Sequence, residues 1–350
     1  MSAVADHPPS PQLPATTAWR RALQRLAGPL AVTAVTAVAL PLGNALPLLG
    51  APIVALVLGI VAAAVLPVAR LRQGLDVIAR RSLQLAIVAL GATISAGQVL
   101  AVGASSLPVM LGTLATALLT AALVGRGLGV GERLAALVGV GTGICGASAI
   151  AAVSGVIDAP AREVRYAIAT IFAFNLVAVL AFPPLGHLLG MSQSQFGLWA
   201  GTAVNDTSSV VAAGFAYGHA AGAHALIVKL TRTTAIVPIT AALAIAARRR
   251  RTGPDTPTAR RSLRGIVPWF LIWFAAASAA DSLGLVGAGA RTDLSHAGLG
   301  LTALALASVG LGADLREMRR TGARPLLLGA LVWAAVTVTS LGLQALTAGG

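Results

Sequence analysis

Residues 166–205 read YAIATIFAFNLVAVLAFPPLGHLLGMSQSQFGLWAGTAVN, forty positions without an Asp, Glu, Lys or Arg. A helix needs roughly 20 predominantly apolar residues to cross a bilayer, so this stretch holds about two spans. Residues 28–69 and 82–125 are equally free of charge. Of the 350 residues, 57% are hydrophobic and 10% are charged, whereas a soluble domain carries about 25% charge. Disorder and a nucleic-acid module are excluded by these figures. A disulfide scaffold is excluded because Cys145 is the single cysteine. The sequence describes an all-α polytopic membrane protein whose solvent is the lipid bilayer.

Eleven apolar segments are expected, near 28–47, 50–69, 82–100, 106–125, 134–157, 165–187, 195–217, 222–247, 265–283, 296–314 and 325–347. Turns are expected at 47–52, 103–108 and 183–190, where Pro and Gly cluster. Residues 1–27 read as a disordered cytoplasmic tail, and 28–350 as one transmembrane domain interrupted by a cytoplasmic loop at 248–264 with seven arginines. The net charge is +14, and its basic residues sit in the gaps between apolar blocks, as the positive-inside rule requires. Twenty of the arginines fall on one side if the tail is cytoplasmic, while Arg291 falls on the other. That places the C-terminus in the periplasm. Arg162 and Arg165 break the pattern if segments five and seven both cross, and obey it if both are re-entrant; the sequence leaves both readings open. Residues 91–114 and 310–331 are weakly similar and run in opposite directions, as an inverted repeat would.

Two segments are unlike ordinary spans. The fifth carries GVGTGICGASA (139–149), and each glycine costs a helix roughly 1 kcal/mol relative to alanine. Either close helix packing or an opened backbone that presents Thr142, Gly143 and Ser148 to a substrate would explain it. The seventh carries GTAVNDTSSVVAAG (201–214), where Asn205, Asp206, Thr207 and Ser208 are polar in an apolar setting. A charge at the bilayer centre costs about 2.5–3.5 kcal/mol on insertion scales, so Asp206 reads as an ion-coupling site, as a counter-ion, or as an acid at the mouth of a loop. If the stretch is helical, Thr202, Asp206 and Ser209 share a face.

The eighth segment carries KLTRTT, with Lys229 and Arg232 three apart on one helical face. Such a buried pair suits a tetrahedral oxyanion or a carboxylate; one of the two could instead pair with Asp206. Both are expected to face the Asn205–Ser209 stretch with hydroxyls between them. Asn175 is expected to hydrogen-bond between helices, and His219 and His224 to flank an outer loop. No Walker motif, zinc spacing or nucleophile elbow occurs, so the chain is expected to be no enzyme and to hold no cofactor or metal.

At these residues the sequence resembles the YeiH-like sulfate exporter family of bacterial inner-membrane transporters. GVGTGICGASAIAA (139–152) and AGTAVNDTSSVVAAG (200–214) are similar to its two signatures, and KLTRTTAIVPI (229–239), VPWF (267–270) and GARPLLL (322–328) also match. The family usually has His before the acid and Gln three after it; here these positions are Asn205 and Ser209, so no histidine relay carries over. The resemblance implies inverted repeats with broken helices.

Three functions follow as expectations. The first is a secondary transporter that exports or exchanges a small anion, coupled to a proton or sodium ion, with a homodimer as its possible assembly. The second is a cation–proton antiporter using Asp206. The third is a non-transporting membrane protein or channel.

Overall fold

Helices are the natural response of such a chain to lipid, because they satisfy every backbone N–H and C=O within one segment. A computed structural model describes residues 15–46, 49–65, 72–250, 269–313 and 322–348, and among them there is no strand. The helices are α1 (Ala15–Ala45), α2 (Gly50–Val65), α3 (Arg72–Gly91), α4 (Ala96–Gly127), α5 (Glu132–Gly143), α6 (Ala147–Ser154) and α7 (Ala161–Leu188). They continue as α8 (Gln193–Ala203), α9 (Thr207–Tyr217), α10 (His219–Thr233), α11 (Ile236–Arg250), α12 (Trp269–Ser282), α13 (Ala288–Gly312) and α14 (Ala323–Ala348). Six helical stretches, including the run through α10 and α11, are long and apolar enough to cross a membrane.

Three boundaries differ from expectation. Residues 15–27 are helix rather than tail, since α1 begins at Ala15 and contains Arg20, Arg21 and Arg25; its Ala, Leu, Gln and Arg are strong helix formers. Residues 1–14 and most of the 248–264 loop lie outside the described residues. The turn between the third and fourth segments lies at 92–95, not 103–108. Ser95 caps α4 by accepting from Gln98 N, and Pro108 is absorbed inside that helix. Pro183 and Pro184 likewise stay within α7.

The fifth and seventh segments are both broken and both turn back. At the base of the second hairpin, Gln193 opens α8 and its side chain reaches Tyr217 O and Ala221 N, the latter at 2.9 Å. Phe196 stacks on Tyr217 with ring centroids 3.9 Å apart. The start of α8 and the end of α9 therefore lie at the same end of the molecule. For the first hairpin, a methyl placed on Gly131 would sit 3.9 Å from Glu163 Oε1, so the chain entering α5 lies beside the chain leaving α6. The gap at 155–160 is thus at the end that also holds Arg126, Arg133 and Arg324. Each segment is a re-entrant hairpin, and α7 crosses between them so that they enter from opposite ends.

Close packing holds this arrangement. Methyls on Gly197 and Gly201 of α8 would lie 2.9 Å from the carbonyl oxygens of Ala221 and Ala225 of α10. A methyl on Gly214 of α9 would lie 2.9 Å from Gly222 Cα. The second hairpin therefore straddles α10 at near-backbone contact, the small-residue packing that membranes favour. On the far side, α2 and α13 cross at Gly59 and Gly310, where a methyl on Gly310 would lie 3.0 Å from Gly59 Cα. The stretches with internal similarity lie on α3–α4 and α13–α14, which run in opposite directions.

Single cysteines placed at Gly131, Asp158 and Gly190, with Cys145 replaced by Ala, test the hairpin topology. The first two should react with an impermeant maleimide from one side of the membrane and the third only from the other. Labelling of position 158 from the side of position 190 would show a full crossing instead.

Candidate functional site

The site is built where the hairpin tips meet. In the first hairpin, α5 stops at Gly143, and Gly146 adopts φ +66° and ψ −128°. That backbone is one L-residues rarely adopt, and glycine supplies it without steric cost. Gly146 N closes the turn by donating to Gly141 O at 2.9 Å. The other glycines of the motif serve packing: methyls on Gly139 and Gly143 would lie 2.8 Å from Ala121 Cβ and 2.9 Å from Leu114 Cδ1 of α4. The two explanations of the glycine-rich stretch therefore both apply, to different glycines.

In the second hairpin, Val204 and Asp206 are extended, with φ/ψ of −90°/129° and −101°/145°. Asp206 is the N-cap of α9. Its Oδ2 accepts from Ser208 N at 3.0 Å, from Ser209 N at 3.4 Å, and from the Ser208 hydroxyl. Thr202, Asp206 and Ser209 do not share a helical face, because the helix ends between them. The tips touch: a methyl on Gly146 would lie 3.3 Å from Asn205 O.

A helix that stops inside a protein leaves carbonyls without partners, and two such ends meet here. Lys229 Nζ donates to Ile144 O and Val204 O, both at 2.9 Å. Arg232 Nη1 donates to Thr202 O, and Nη2 to Thr142 O at 3.1 Å. Each cation therefore spans both hairpins. Trp333 Nε1 of α14 donates to a further carbonyl at the end of α8, Ala203 O, at 3.1 Å. On the donor side of the second tip, Asn175 Oδ1 of α7 accepts from Asn205 N at 2.9 Å and Asp206 N at 3.3 Å. Thr202 Oγ1 pairs with Ser340 Oγ at 2.7 Å.

The expected site residues are thus sorted by their surroundings. Lys229 and Arg232 are fully buried, at 0% and 1% exposure, but they face main-chain carbonyls rather than a row of hydroxyls. This corrects the expectation. Its physical reason is that the carbonyl ends of α5 and α8 carry the negative poles of their helix dipoles, which attract cations. Neither cation makes an ion pair among the described residues. Thr142 and Asn205 are also completely buried, and Thr142 Oγ1, both side-chain polar atoms of Asn205, and Arg232 Nε have no hydrogen-bond partner among the described residues. Gly143 packs against α4. Thr207 is half-buried beside Asp206, Ser208 is engaged by it, and Ser148 is exposed at the start of α6. Sequence reasoning missed Trp333 and Ser340, which lie about 130 residues away along the chain and carry no local signal.

These contacts make two checkable predictions. Lys229→Met leaves two buried carbonyls unpartnered, each at a cost of about 1–3 kcal/mol, and frees the tips from one another. Cys145, 4% exposed at the first tip, should then react with N-ethylmaleimide at least tenfold faster than in the unsubstituted protein, and an unchanged rate would show that the tips need no such bridge. Asp206→Asn preserves a good N-cap and should change thermal stability little, whereas Asp206→Ala should lower it by about 1 kcal/mol.

The sequence model of the family described as conserved hypothetical protein 698 matches residues 27–329. A UPF0324 membrane protein of Streptococcus pyogenes serotype M6 is 40% identical over 332 residues, covering 92% of this chain and 97% of its own. One from Streptococcus pneumoniae serotype 4 is 41% identical over 329 residues, covering 91% and 96%. One from Fusobacterium nucleatum is 36% identical over 324 residues, covering 87% and 92%. No solved structure matches. The chain belongs to the conserved hypothetical protein 698, or UPF0324, family of membrane proteins.

Proposed function

We propose that this family member is a gradient-driven secondary transporter of a small oxyanion of the sulfate or sulfonate class, held where the two hairpin tips meet. The observation that carries this reading is a pair of fully buried cations with no carboxylate paired to them among the described residues. Asp206, the one acid at the tips, spends its carboxylate on α9 instead. Buried charge is costly unless compensated, and an anion compensates it. With Asp206 ionised the tips carry a formal charge of +1, enough to attract an anion without trapping it. The unpartnered amide of Asn205 and hydroxyl of Thr142 supply donors beside the cations.

The arginines favour one orientation. Because both hairpins are re-entrant, Arg162 and Arg165 join the basic end instead of opposing it. With that end in the cytoplasm, the positive-inside rule holds for all but Arg291 among the arginines outside the spans. This puts the N-terminus in the cytoplasm of a bacterial cell and the C-terminus in the periplasm.

A second reading has its own support. Ile144 O and Val204 O both face Lys229 Nζ, and Asp206 caps α9 at the same tip. A sodium ion could replace the ammonium there, in the manner of a cation–proton antiporter.

Thermal stability of the purified protein in sodium sulfate, sodium methanesulfonate, sodium chloride and choline sulfate separates these readings. The anion reading expects stabilisation by both sulfate salts, with or without sodium, and loss of most of it in Asn205→Ala. It also expects sulfate counterflow in proteoliposomes. Stabilisation that follows sodium and ignores the anion would overturn the proposal in favour of cation transport.

A further inference from the structure

The two half-helices that leave the tips are exposed very differently. In α9 every residue but Thr207 and Phe215 is buried, and Ala212 and Ala216 pack among Ile53, Leu56 and Leu306 of α2 and α13. In α6, Ala147, Ser148, Ala151 and Ala152 are exposed, while Ala149, Ile150 and Val153 are buried. The open face of α6 therefore carries three methyls and one hydroxyl. Faces turned to lipid carry bulk instead, as at Leu111 and Leu119 of α4 and Leu331 of α14. No exposed large apolar side chain among the described residues belongs to α6.

Depth makes the hydroxyl informative. From the arginine-bearing end, α5 runs inward for 12 residues, about 18 Å at the rise of an α-helix. Half the hydrocarbon core is about 15 Å, so Ser148 lies near the middle of the membrane. Other hydroxyls in these helices return to a carbonyl one turn back, as Thr113 does to Val109 O and Ser154 to Ala151 O. Ser148 does not. The carbonyl four residues before it, Ile144 O, is held by Lys229, and the Ser148 hydroxyl has no partner among the described residues. An unpartnered hydroxyl in hydrocarbon is costly, so this face is suited to water rather than to lipid.

Both ends of the face suit an anion. At the inner end, a methyl on Gly146 would lie 3.3 Å from Asn205 O, and the buried side-chain polar atoms of Asn205 and Thr142 are unpartnered there. At the outer end, the turn at 155–160 leads into Arg162, which is exposed and donates from Nε to Tyr166 Oη at 2.9 Å. Arg126, Arg133, Arg162, Arg165 and Arg324 share that end with Glu132, Asp158 and Glu163. The mouth is net positive, and such a field raises the local concentration of anions.

We propose that the exposed face of α6 is the path by which the oxyanion reaches the tips from the arginine-bearing end. The cargo rests on the oxyanion reading of the tips; the access of water to the face does not. The small side chains leave room for a hydrated anion, and Ser148 offers it a hydroxyl one turn from Asn205. Because α9 is packed over, the second hairpin has no equivalent path in this structure.

Single cysteines at Ala147, Ala151 and Ala152, in the Cys145→Ala protein in proteoliposomes, test the path. Each substitution adds one sulfur to an exposed position. The reagents are the anionic sulfonatoethyl and the cationic trimethylammonioethyl methanethiosulfonate, with each rate taken relative to a free thiol in solution. Leu119→Cys, on the lipid face of α4, is the control. The thiolate is the reacting form and needs water, so all three positions should react roughly tenfold faster than the control. They should react from the side that labels position 158 and prefer the anionic reagent, and sulfate should slow position 147. Rates no faster than the control, reaction only from the side of position 190, or no preference for the anionic reagent would overturn the path. Disulfides formed between two copies at 151 or 152 would overturn it in favour of a helix-packing contact. Reaction that keeps its side and its charge preference but ignores sulfate would uphold the path and count against the oxyanion reading of the tips.

Discussion

Two side chains one helical turn apart, Lys229 and Arg232, hold the carbonyl ends of two half-helices that approach from opposite ends of the molecule. Everything else in the fold is arranged around that constraint. A helix that stops in a low-dielectric interior must find donors for its last carbonyls, since no water is there to supply them. Here one helix, α10, supplies donors to both stops. Each cation divides its hydrogen bonds between the hairpins, Lys229 between Ile144 and Val204, and Arg232 between Thr142 and Thr202. Removing either therefore disturbs both hairpins, and the two tips are energetically one unit.

The packing around α10 serves the same end. Gly197, Gly201, Gly214 and Gly222 remove side chains wherever the second hairpin lies on α10, so the distance from α10 to the tips is set by backbone contact and cannot drift. An aromatic stack then fixes the hairpin from behind. Phe182 lies on Trp199 with centroids 4.0 Å apart, and Trp333 joins the stack while its indole N–H caps Ala203 O. The indole thus packs as an apolar plate and caps as a donor, a combination for which tryptophan is suited. By contrast, α2, α3 and α13 form a separate layer whose apolar contacts with the second hairpin run through Ala212, Ala216 and Leu306.

Much of this was legible in the sequence, and the reasons are specific. The charge-free blocks announce lipid, and the glycines of 139–146 together with the polar run of 205–209 announce two breaks. Lys229 and Arg232, deep in an apolar segment and on one face, announce buried cations. The direction of the breaks was not legible. A half-helix of twelve residues followed by one of eight can continue or turn back with the same residues, and only the contact of Gly131 with Glu163, or of Gln193 with Tyr217, decides. Nor were the partners of the cations legible, because main-chain carbonyls are present at every position and leave no mark in composition. The α3–α4 turn was misplaced because Gly103 and Pro108 outweigh Ser95 as turn signals, although Ser95 makes the cap.

The two hairpins are alike in plan yet differ at one point, and the difference bears on what the tips attract. Both present the carbonyl end of a first half-helix, neutralised by the shared cations. Both also present the N–H end of a second half-helix, with its partial positive charge. In α9 that end is neutralised by the carboxylate of Asp206. In α6 the N-cap is Gly146, and no side chain caps the helix. The negative poles are thus compensated twice and the positive poles once, so the symmetric plan leaves a positive excess on the side of the first hairpin. Ser148, the second residue of α6, is the exposed hydroxyl at that uncompensated end. An acid at position 146 would restore the symmetry and remove the excess, but the backbone there, with φ +66°, is open to little besides glycine. The turn that lets the first hairpin reverse is therefore also what keeps its helix start uncapped and available to an anion.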